Sequence, residues 1–211
     1  MTKIIDISRS LTATTAVWPG DTPYSLTPVA RRADGDSVNV TSLNLSSHTA
    51  THMDAPYHFT DEGATVEQLD LARYWGLAQV VTVAKESGPL TPTDFAHADL
   101  TRAPRLLVHS RASQQDPTQF HHDFVYPSPE LADFLGQQGI ILYGADAPSM
   151  DASDDAQLPG HNALLRNDIM ILEGLDLTAV DDGLYELVAL PLKLVNGDGS
   201  PIRAALRTLD Q

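Results

Sequence analysis

Four side chains that can bind a metal ion or carry a proton lie close together in this 211-residue sequence. His48, His52, Asp54 and His58 all stand at even positions, in a segment that reads HTATHMDAPYHF. Histidine and carboxylate together suit zinc, iron or manganese, whereas calcium and magnesium prefer oxygen ligands alone. The segment therefore predicts a divalent metal site, and polar residues without a metal are the alternative.

The chain must fold back for these side chains to meet. Ten extended residues span about 33 Å, while bonds from zinc to its ligands are only about 2 Å long. His48 and His52 stand four residues apart, so a turn between them would bring their imidazoles together. Asp54 is best placed if the chain then extends again, and Pro56 keeps the segment out of helix. We expect an irregular turn followed by a short extended run.

Two further candidate ligands come later in the sequence. Glu173 follows the apolar run 169–172, where an unpaired carboxylate would be costly to bury, so a metal ion would explain its position. His161 follows Pro159 and Gly160 and could equally be an ordinary residue of a helix N-terminus. These two positions extend the candidate site beyond the first segment.

Composition limits the classes of function. The absence of cysteine excludes disulfides, thiolate metal sites and a cysteine nucleophile. A formal net charge of −15 disfavours nucleic acid and anionic membranes as partners. No apolar run is long enough to span a bilayer, and the first residues lack the apolar core of a signal peptide. We expect a cytoplasmic protein.

The elements that must position the candidate residues are mostly short strands. Alternating or apolar runs predict strands over 4–8, 25–32, 38–47, 78–84, 105–109, 140–143, 169–172 and 184–194. Partial alternation in 38–47 indicates a half-buried strand. The later runs lack alternation, which predicts strands covered on both faces.

Helices are fewer and short. Thr65 and Gln68 form a capping-box pattern, and Ser128 is a candidate N-cap for a helix that ends near Gln138. Further helices are predicted over 93–100 and 161–166, and 110–126 is predicted to be a long loop or insertion. Helices between strands in the second half indicate an α/β fold of mixed β-sheets, and we expect one domain over 1–211.

The segment from His48 to Phe59 resembles the signature of the cyclase-like metal hydrolases, and within them that of the bacterial kynurenine formamidases (arylformamidases). Six other segments agree in order: WPGDTP (18–23), GADAPSMD (144–151), LPGHN (158–162), ILEGL (171–175), YELVALPL (185–192) and SPIRA (200–204). The resemblance covers 4–207. Ala50 departs from the glycine that is usual in the family, which restricts the turn if φ must be positive. The segment 110–126 is also less family-like.

The resemblance implies a swivelling β/β/α fold and a homodimer. It also implies roles for seven residues. Two zinc ions per chain would be bound, one by His48 and His52. Asp54 and Glu173 would bridge to the second ion, which His161 also binds. The remaining two would be His58 as catalytic proton donor and acceptor and Trp18 as a substrate contact.

The implied activity is that of a metal-dependent amidohydrolase acting on a linear amide. It would hydrolyse N-formyl-L-kynurenine to L-kynurenine and formate in tryptophan degradation, using zinc-activated water. A related manganese-dependent hydrolase of cyclic amides, similar to isatin hydrolase, is one alternative, and a metal-binding protein without catalysis is another. His58 could instead be a further ligand, and Trp18 a core residue. Asp146 and Asp151 could either contact the metal ligands or fix turns and loops, and we favour turns and loops.

Overall fold

A computed structural model describes residues 2–209. Met1, Asp210 and Gln211, the ends of the expected 1–211 domain, lie outside the described residues. The strands are β1 (Ile4–Asp6), β2 (Ser25–Ala30), β3 (Val40–Asn44), β4 (His52–Asp54), β5 (Trp75–Thr82), β6 (Gly88–Leu90), β7 (Arg105–His109), β8 (Val125–Pro127), β9 (Leu142–Ala145), β10 (Met170–Glu173), β11 (Gly183–Val188), β12 (Gly199–Pro201) and β13 (Ala205–Thr208). The α-helices are α1 (Pro129–Gln137) and α2 (Pro159–Arg166).

Short 3₁₀ segments connect many of these elements. They are Arg32–Asp34, Pro56–His58, Val66–Gln68, Leu71–Tyr74, Pro92–Phe95, Leu100–Arg102 and Arg111–Gln114. In the part of the chain that the structure describes, no helix is both long and apolar enough to cross a membrane.

Nine strands form one mixed sheet in the order β1-β13-β11-β5-β7-β9-β10-β4-β12. The four strands β5, β7, β9 and β10 run parallel, and the remaining neighbours pair antiparallel. The parallel strands β7, β9 and β10 are buried almost throughout, as their lack of alternation predicts. The α/β fold with mixed sheets and few helices is confirmed.

Two apolar clusters cover the two faces of this sheet. Successive strand residues point to opposite faces, so Leu106 and Val108 join the cluster that contains the buried side of α1 and α2. Leu107 lies between them in sequence and packs in the other cluster, with Met53 of β4. Because Met53 faces away from the helices, its neighbours on β4 must face towards them.

The hairpin of β2 and β3 corrects one expectation. The predicted strands over 25–32 and 38–47 do pair with each other. However, β3 is exposed along its whole length, so the half-buried strand predicted from its alternation is wrong. Apolar side chains of this hairpin reach solvent in the single chain, and they include Leu26, Val29, Val40 and Leu43.

Helix starts with a matching cap are confirmed, and one helix prediction is wrong. The Ser128 hydroxyl accepts a hydrogen bond from the Leu131 amide at 3.1 Å and begins α1 as predicted. The helix expected over 93–100 is replaced by two 3₁₀ turns. The first turn ends at Phe95, and the second starts at Asp99, whose carboxylate accepts the Thr101 amide at 3.0 Å. The strand expected over 184–194 ends at Val188.

The start of α2 depends on a glycine that touches neighbouring backbone. A Cβ on Gly160 would lie 2.1 Å from the Met150 carbonyl oxygen and 3.0 Å from that of Pro127. We expect Gly160→Ala to lower the free energy of unfolding by about 1–3 kcal/mol, the range typical of overpacking. Urea unfolding measures this change.

Gly183→Ala is the matched control, because the nearest atom to its Cβ would be 3.7 Å away. It should change the free energy of unfolding by less than about 0.5 kcal/mol. Equal losses in the two variants would contradict the packing argument.

Candidate metal centre

Three of the predicted ligands meet because two neighbouring strands present them on one face. His52 and Asp54 stand two apart on β4 and therefore share a face. Glu173 ends β10, which pairs antiparallel with β4 so that Glu173 lies directly opposite His52. The short extended run predicted after the turn is thus confirmed, and it forms an inner strand between β10 and β12.

His161 reaches the same place from the first turn of α2. The carboxylate of Asp151 accepts the backbone amides of Gly160 at 2.6 Å and His161 at 3.0 Å. The same carboxylate lies 2.7 Å from Nδ1 of His161, which fixes the ring. Nε2 then faces Asp54 at 3.5 Å and Glu173 at 3.4 Å. Asp151 therefore orients a candidate ligand as well as the helix start.

The irregular turn predicted before β4 is present and is strained at one residue. Ala50 has a φ of +57°, in the left-handed region that favours glycine. Its carbonyl oxygen lies 3.0 Å from Nδ1 of His52 and can accept that proton. Nε2 of His52 is then left facing Asp54 and Glu173, at 3.3 Å from each. The turn is thus formed with alanine in place of glycine.

Polar atoms at the centre of this group have no protein partner. In the described part of the chain, no hydrogen bond reaches His52 Nε2, Asp54 Oδ2 or Glu173 Oε1, although all three are buried. The separations of 3.3–3.5 Å match the roughly 3.4 Å between two ligand atoms that bind one ion tetrahedrally at about 2.1 Å. The residues present therefore fit a metal ion.

A second group shares Asp54 with the first. His48, Asp54 and His58 could also hold an ion, and each offers a ligand atom within 4.8 Å of the others. The rings of His48 and His58 lie 4.0 Å apart between centroids. This grouping differs from the one that the resemblance implies, in which His48 and His52 share an ion.

Asp198 is a residue of this site that the sequence did not indicate. Its Oδ2 lies 2.9 Å from Nε2 of His48 and 3.6 Å from Nδ1 of His58. It immediately precedes β12, and the pairing of β12 with β4 brings it to the site. In sequence it belongs to a polar stretch, Asn-Gly-Asp-Gly, that is typical of a turn.

The buried histidines and carboxylates of this cluster stabilise one another's charged forms. Burial alone would raise the pKa of Asp54, but the facing histidines, His161 first, hold it well below 3.8. Burial likewise disfavours the charged form of His52, yet Asp54 and Glu173 raise its pKa to about 10. The Asp54 carboxylate therefore stays ionised and draws positive charge towards it, as a proton on a histidine or as a metal ion.

A cavity of about 300 Å³ opens onto the cluster, and Trp18, His48, His52, His58, His161 and Glu173 all line it. Trp18 meets Phe120 edge to face, with 5.0 Å between the ring centroids. Phe120 belongs to the 110–126 segment, which has one 3₁₀ turn and is otherwise a loop, as predicted, up to the start of β8 at Val125. That loop therefore forms a wall of the cavity.

Asp146 fixes this wall, as its predicted loop-fixing role requires. Its Oδ1 accepts the Ser110 hydroxyl at 2.7 Å, and its Oδ2 accepts the Ser113 amide at 3.0 Å and hydroxyl at 2.8 Å. Asp146 is buried, so these bonds fasten the start of the 110–126 loop to the end of β9.

Comparisons with known proteins agree with this geometry. The Cyclase family model matches residues 5–152. Kynurenine formamidases from Geobacillus thermodenitrificans and Salinibacter ruber are each 45% identical to this chain, over 97% of both chains. A solved structure titled "potential metal-dependent hydrolase with cyclase activity" superposes with a TM-score of 0.85 at 26% identity, over 100% of both chains.

A more distant neighbour shows the fold alone. Isatin hydrolase A from Labrenzia aggregata has a TM-score of 0.84 and 23% identity, covering 99% of this chain and 94% of its own. The family model matches most of the sequence, and the similarity to the kynurenine formamidases extends over nearly the full chain. This chain belongs to the Cyclase family, and its curated relatives there are kynurenine formamidases.

Proposed function

We propose that this chain is a metal-dependent amidohydrolase that converts N-formyl-L-kynurenine and water to L-kynurenine and formate, a step of tryptophan degradation. The observation that carries the proposal is the buried set of His52, Asp54, His161 and Glu173, three of which have an atom without a protein partner. His52, His161 and Glu173 of this set line a cavity that His58 also lines. The names of relatives that are 45% identical over nearly the full chain support the substrate.

The proposed cofactor is zinc, with two ions per chain. Imidazole and carboxylate ligands suit zinc, although they also accept manganese. Asp54 belongs to both ligand groups, so two ions that share its carboxylate account for His48 as well as for Glu173. When bound, zinc would lower the pKa of water so that hydroxide is available as a nucleophile near neutral pH, and it would polarise the carbonyl of the substrate.

His58 is proposed to move the protons of the reaction. Burial lowers its pKa from 6.5, so its imidazole is neutral near pH 7 and can accept a proton. The aniline nitrogen of the substrate leaves poorly as an anion and needs a proton as the amide bond breaks. The side chain of His58 is 34% exposed and lines the cavity, where it can both accept a proton from water and donate one to this nitrogen.

Trp18 and Phe120 are proposed to hold the aromatic ring of the substrate. Both line the cavity, and their edge-to-face contact leaves a wall of aromatic surface beside the candidate metal centre. Aromatic rings gain from such packing beyond the area they bury. An aryl formamide suits this wall better than a small aliphatic amide does.

Hydrolysis of a cyclic aryl amide is the second candidate function. The fold of isatin hydrolase A is shared by this chain over nearly its whole length. An aromatic cavity wall would accept a cyclic aryl amide as well. The 45% identity to kynurenine formamidases favours the linear substrate.

We further propose a cytoplasmic homodimer. The β2–β3 hairpin presents apolar side chains to solvent in the single chain; Val29 is 68% exposed and Leu43 is 60% exposed. Contiguous apolar surface of this kind is typical of an interface. A second copy of the chain would cover it.

The direct test is hydrolysis of N-formyl-L-kynurenine by the purified protein, with isatin as a parallel substrate. We expect turnover of the formamide that is lost after chelation and returns with zinc. Bound metal is measured on the same sample and should approach two ions per chain. Faster opening of isatin, with N-formyl-L-kynurenine left intact, would overturn the proposed substrate.

Variants of two histidines separate catalysis from general effects. His58→Ala should lower kcat by about 10²–10⁴-fold, the usual contribution of a general acid–base group. His97→Ala is the control, because His97 is exposed and contacts the carbonyl of Thr82 outside the cavity. Unchanged kcat in His58→Ala would remove His58 from the proposed reaction.

The aromatic wall gives a prediction about substrate affinity. We expect Trp18→Leu to raise KM for N-formyl-L-kynurenine by about 2- to 12-fold, the equivalent of 0.5–1.5 kcal/mol of aromatic contact. Trp75→Leu is the matched control, since Trp75 is the other tryptophan and does not line the cavity. Steady-state kinetics in which both variants behave alike would contradict the substrate contact.

A further inference from the structure

Two of the candidate ligand histidines have Nδ1 held by the protein and Nε2 turned towards the carboxylates of Asp54 and Glu173. Nδ1 of His52 lies 3.0 Å from the Ala50 carbonyl oxygen, and Nδ1 of His161 lies 2.7 Å from the Asp151 carboxylate. Each acceptor holds the Nδ1–H, so Nε2 faces Asp54 and Glu173 and would offer its lone pair to a metal ion bound there. Such partners fix the tautomer of a metal-binding histidine and the orientation of its ring.

His48 lies between two carboxylates. Its Nδ1 is 2.9 Å from Oδ1 of Asp54, and its Nε2 is 2.9 Å from Oδ2 of Asp198. A carboxylate only accepts hydrogen bonds, and a neutral imidazole has one N–H to donate. A neutral His48 can therefore satisfy one of the two contacts by a hydrogen bond. The other contact needs either a second proton, which makes His48 an imidazolium, or a metal ion in the place of that proton.

The two carboxylates differ in their surroundings. Asp54 is buried against the other candidate ligands and belongs to both groups that could hold an ion. Asp198 faces His48 from the opposite side and is outside both groups. The proton of His48 is thus best placed on Nε2, towards Asp198, which leaves the Nδ1 lone pair for an ion beside Asp54.

Asp198 is itself firmly placed. Its Oδ1 accepts the Ser47 hydroxyl at 2.8 Å, and its backbone carbonyl accepts the Ala55 amide at 2.9 Å. The next residue, Gly199, leaves room for the imidazole, because a Cβ there would lie 2.7 Å from Cε1 of His48. The strand edge at β12 therefore provides both the acceptor and the space for His48.

The Asp198 oxygen that contacts His48 also lies near the imidazole of His58. Oδ2 of Asp198 lies 3.6 Å from Nδ1 of His58, whose ring packs on that of His48. We propose that Asp198 is a positioning residue, which holds His48 with Nδ1 towards the metal site and keeps His58 beside it. This inference rests on the metal-dependent hydrolase function proposed above.

The test is zinc affinity, measured by competition with a chromophoric chelator on metal-free protein. Asp198→Ala should weaken one of the two zinc ions by about 10- to 100-fold and leave the other unchanged, as expected for loss of a partner of a ligand histidine. Asp198→Asn should lose less, because its amide oxygen can still accept the His48 proton. At saturating zinc, kcat of Asp198→Ala should fall by about 10- to 100-fold while KM stays within about twofold.

Glu67→Ala is the matched control for loosening of the loop before β12. The Glu67 carboxylate accepts the Asn196 amide at 3.0 Å, two residues before Asp198, and lies outside both groups that could hold an ion. It should bind both zinc ions like the unmodified protein. Thermal unfolding followed by circular dichroism confirms that each variant is folded, and Asp198→Asn carries the test if Asp198→Ala does not fold.

Three results would overturn the proposal. The first is unchanged affinity for both ions in the Asp198 variants, and the second is equal weakening in Glu67→Ala. The third is complete loss of one ion in Asp198→Asn, which would make Asp198 a ligand. None of these readouts needs the substrate. A protein that binds zinc as described but leaves N-formyl-L-kynurenine intact would contradict the proposed function and not the role of Asp198.

Discussion

The structure depends on the burial of two carboxylates, Asp54 and Glu173, which lie on the same face of the neighbouring strands β4 and β10. Moving an ionised carboxylate out of water costs several kcal/mol unless positive charge accompanies it. In the described residues, every ion-pair partner of these two groups is a histidine. Histidine can lose its proton to solvent when a metal ion binds in that proton's place, whereas lysine or arginine would keep its positive charge in the site. The cluster is therefore suited to exchange protons for a cation.

The rest of the fold brings this cluster together and keeps water at one side of it. The antiparallel register of β4 with β10 places His52 opposite Glu173. The pairing of β4 with β12 brings Asp198 next to His48. Apolar packing on Met53 fixes which face of β4 turns inwards. The cavity above is walled by two segments that lack regular structure, 12–21 and 115–121. Rigid strands thus carry the proposed ligands, and loops carry the proposed substrate contacts.

The sequence predicts those parts of the site whose residues lie close to one another along the chain. The spacing of His48, His52 and Asp54 already requires a turn and an extended run, and Ser128 marks a helix start by its cap. Asp198 could not be predicted, because it lies 150 positions from His48 and is brought there only by strand pairing. The helix predicted over 93–100 is divided into two 3₁₀ turns, of which Asp99 caps the second. The prediction that β3 is half-buried was wrong because alternation marks an apolar face and does not show what packs against that face.

Two metal ions are proposed to share the Asp54 carboxylate. Anomalous diffraction at the zinc edge, from crystals of the zinc-loaded protein, tests this proposal most directly. We expect two anomalous peaks per chain, each within bonding distance of one Asp54 carboxylate oxygen, with Glu173 bound to at least one of them. A single peak, or two peaks of which one does not contact Asp54, would contradict it.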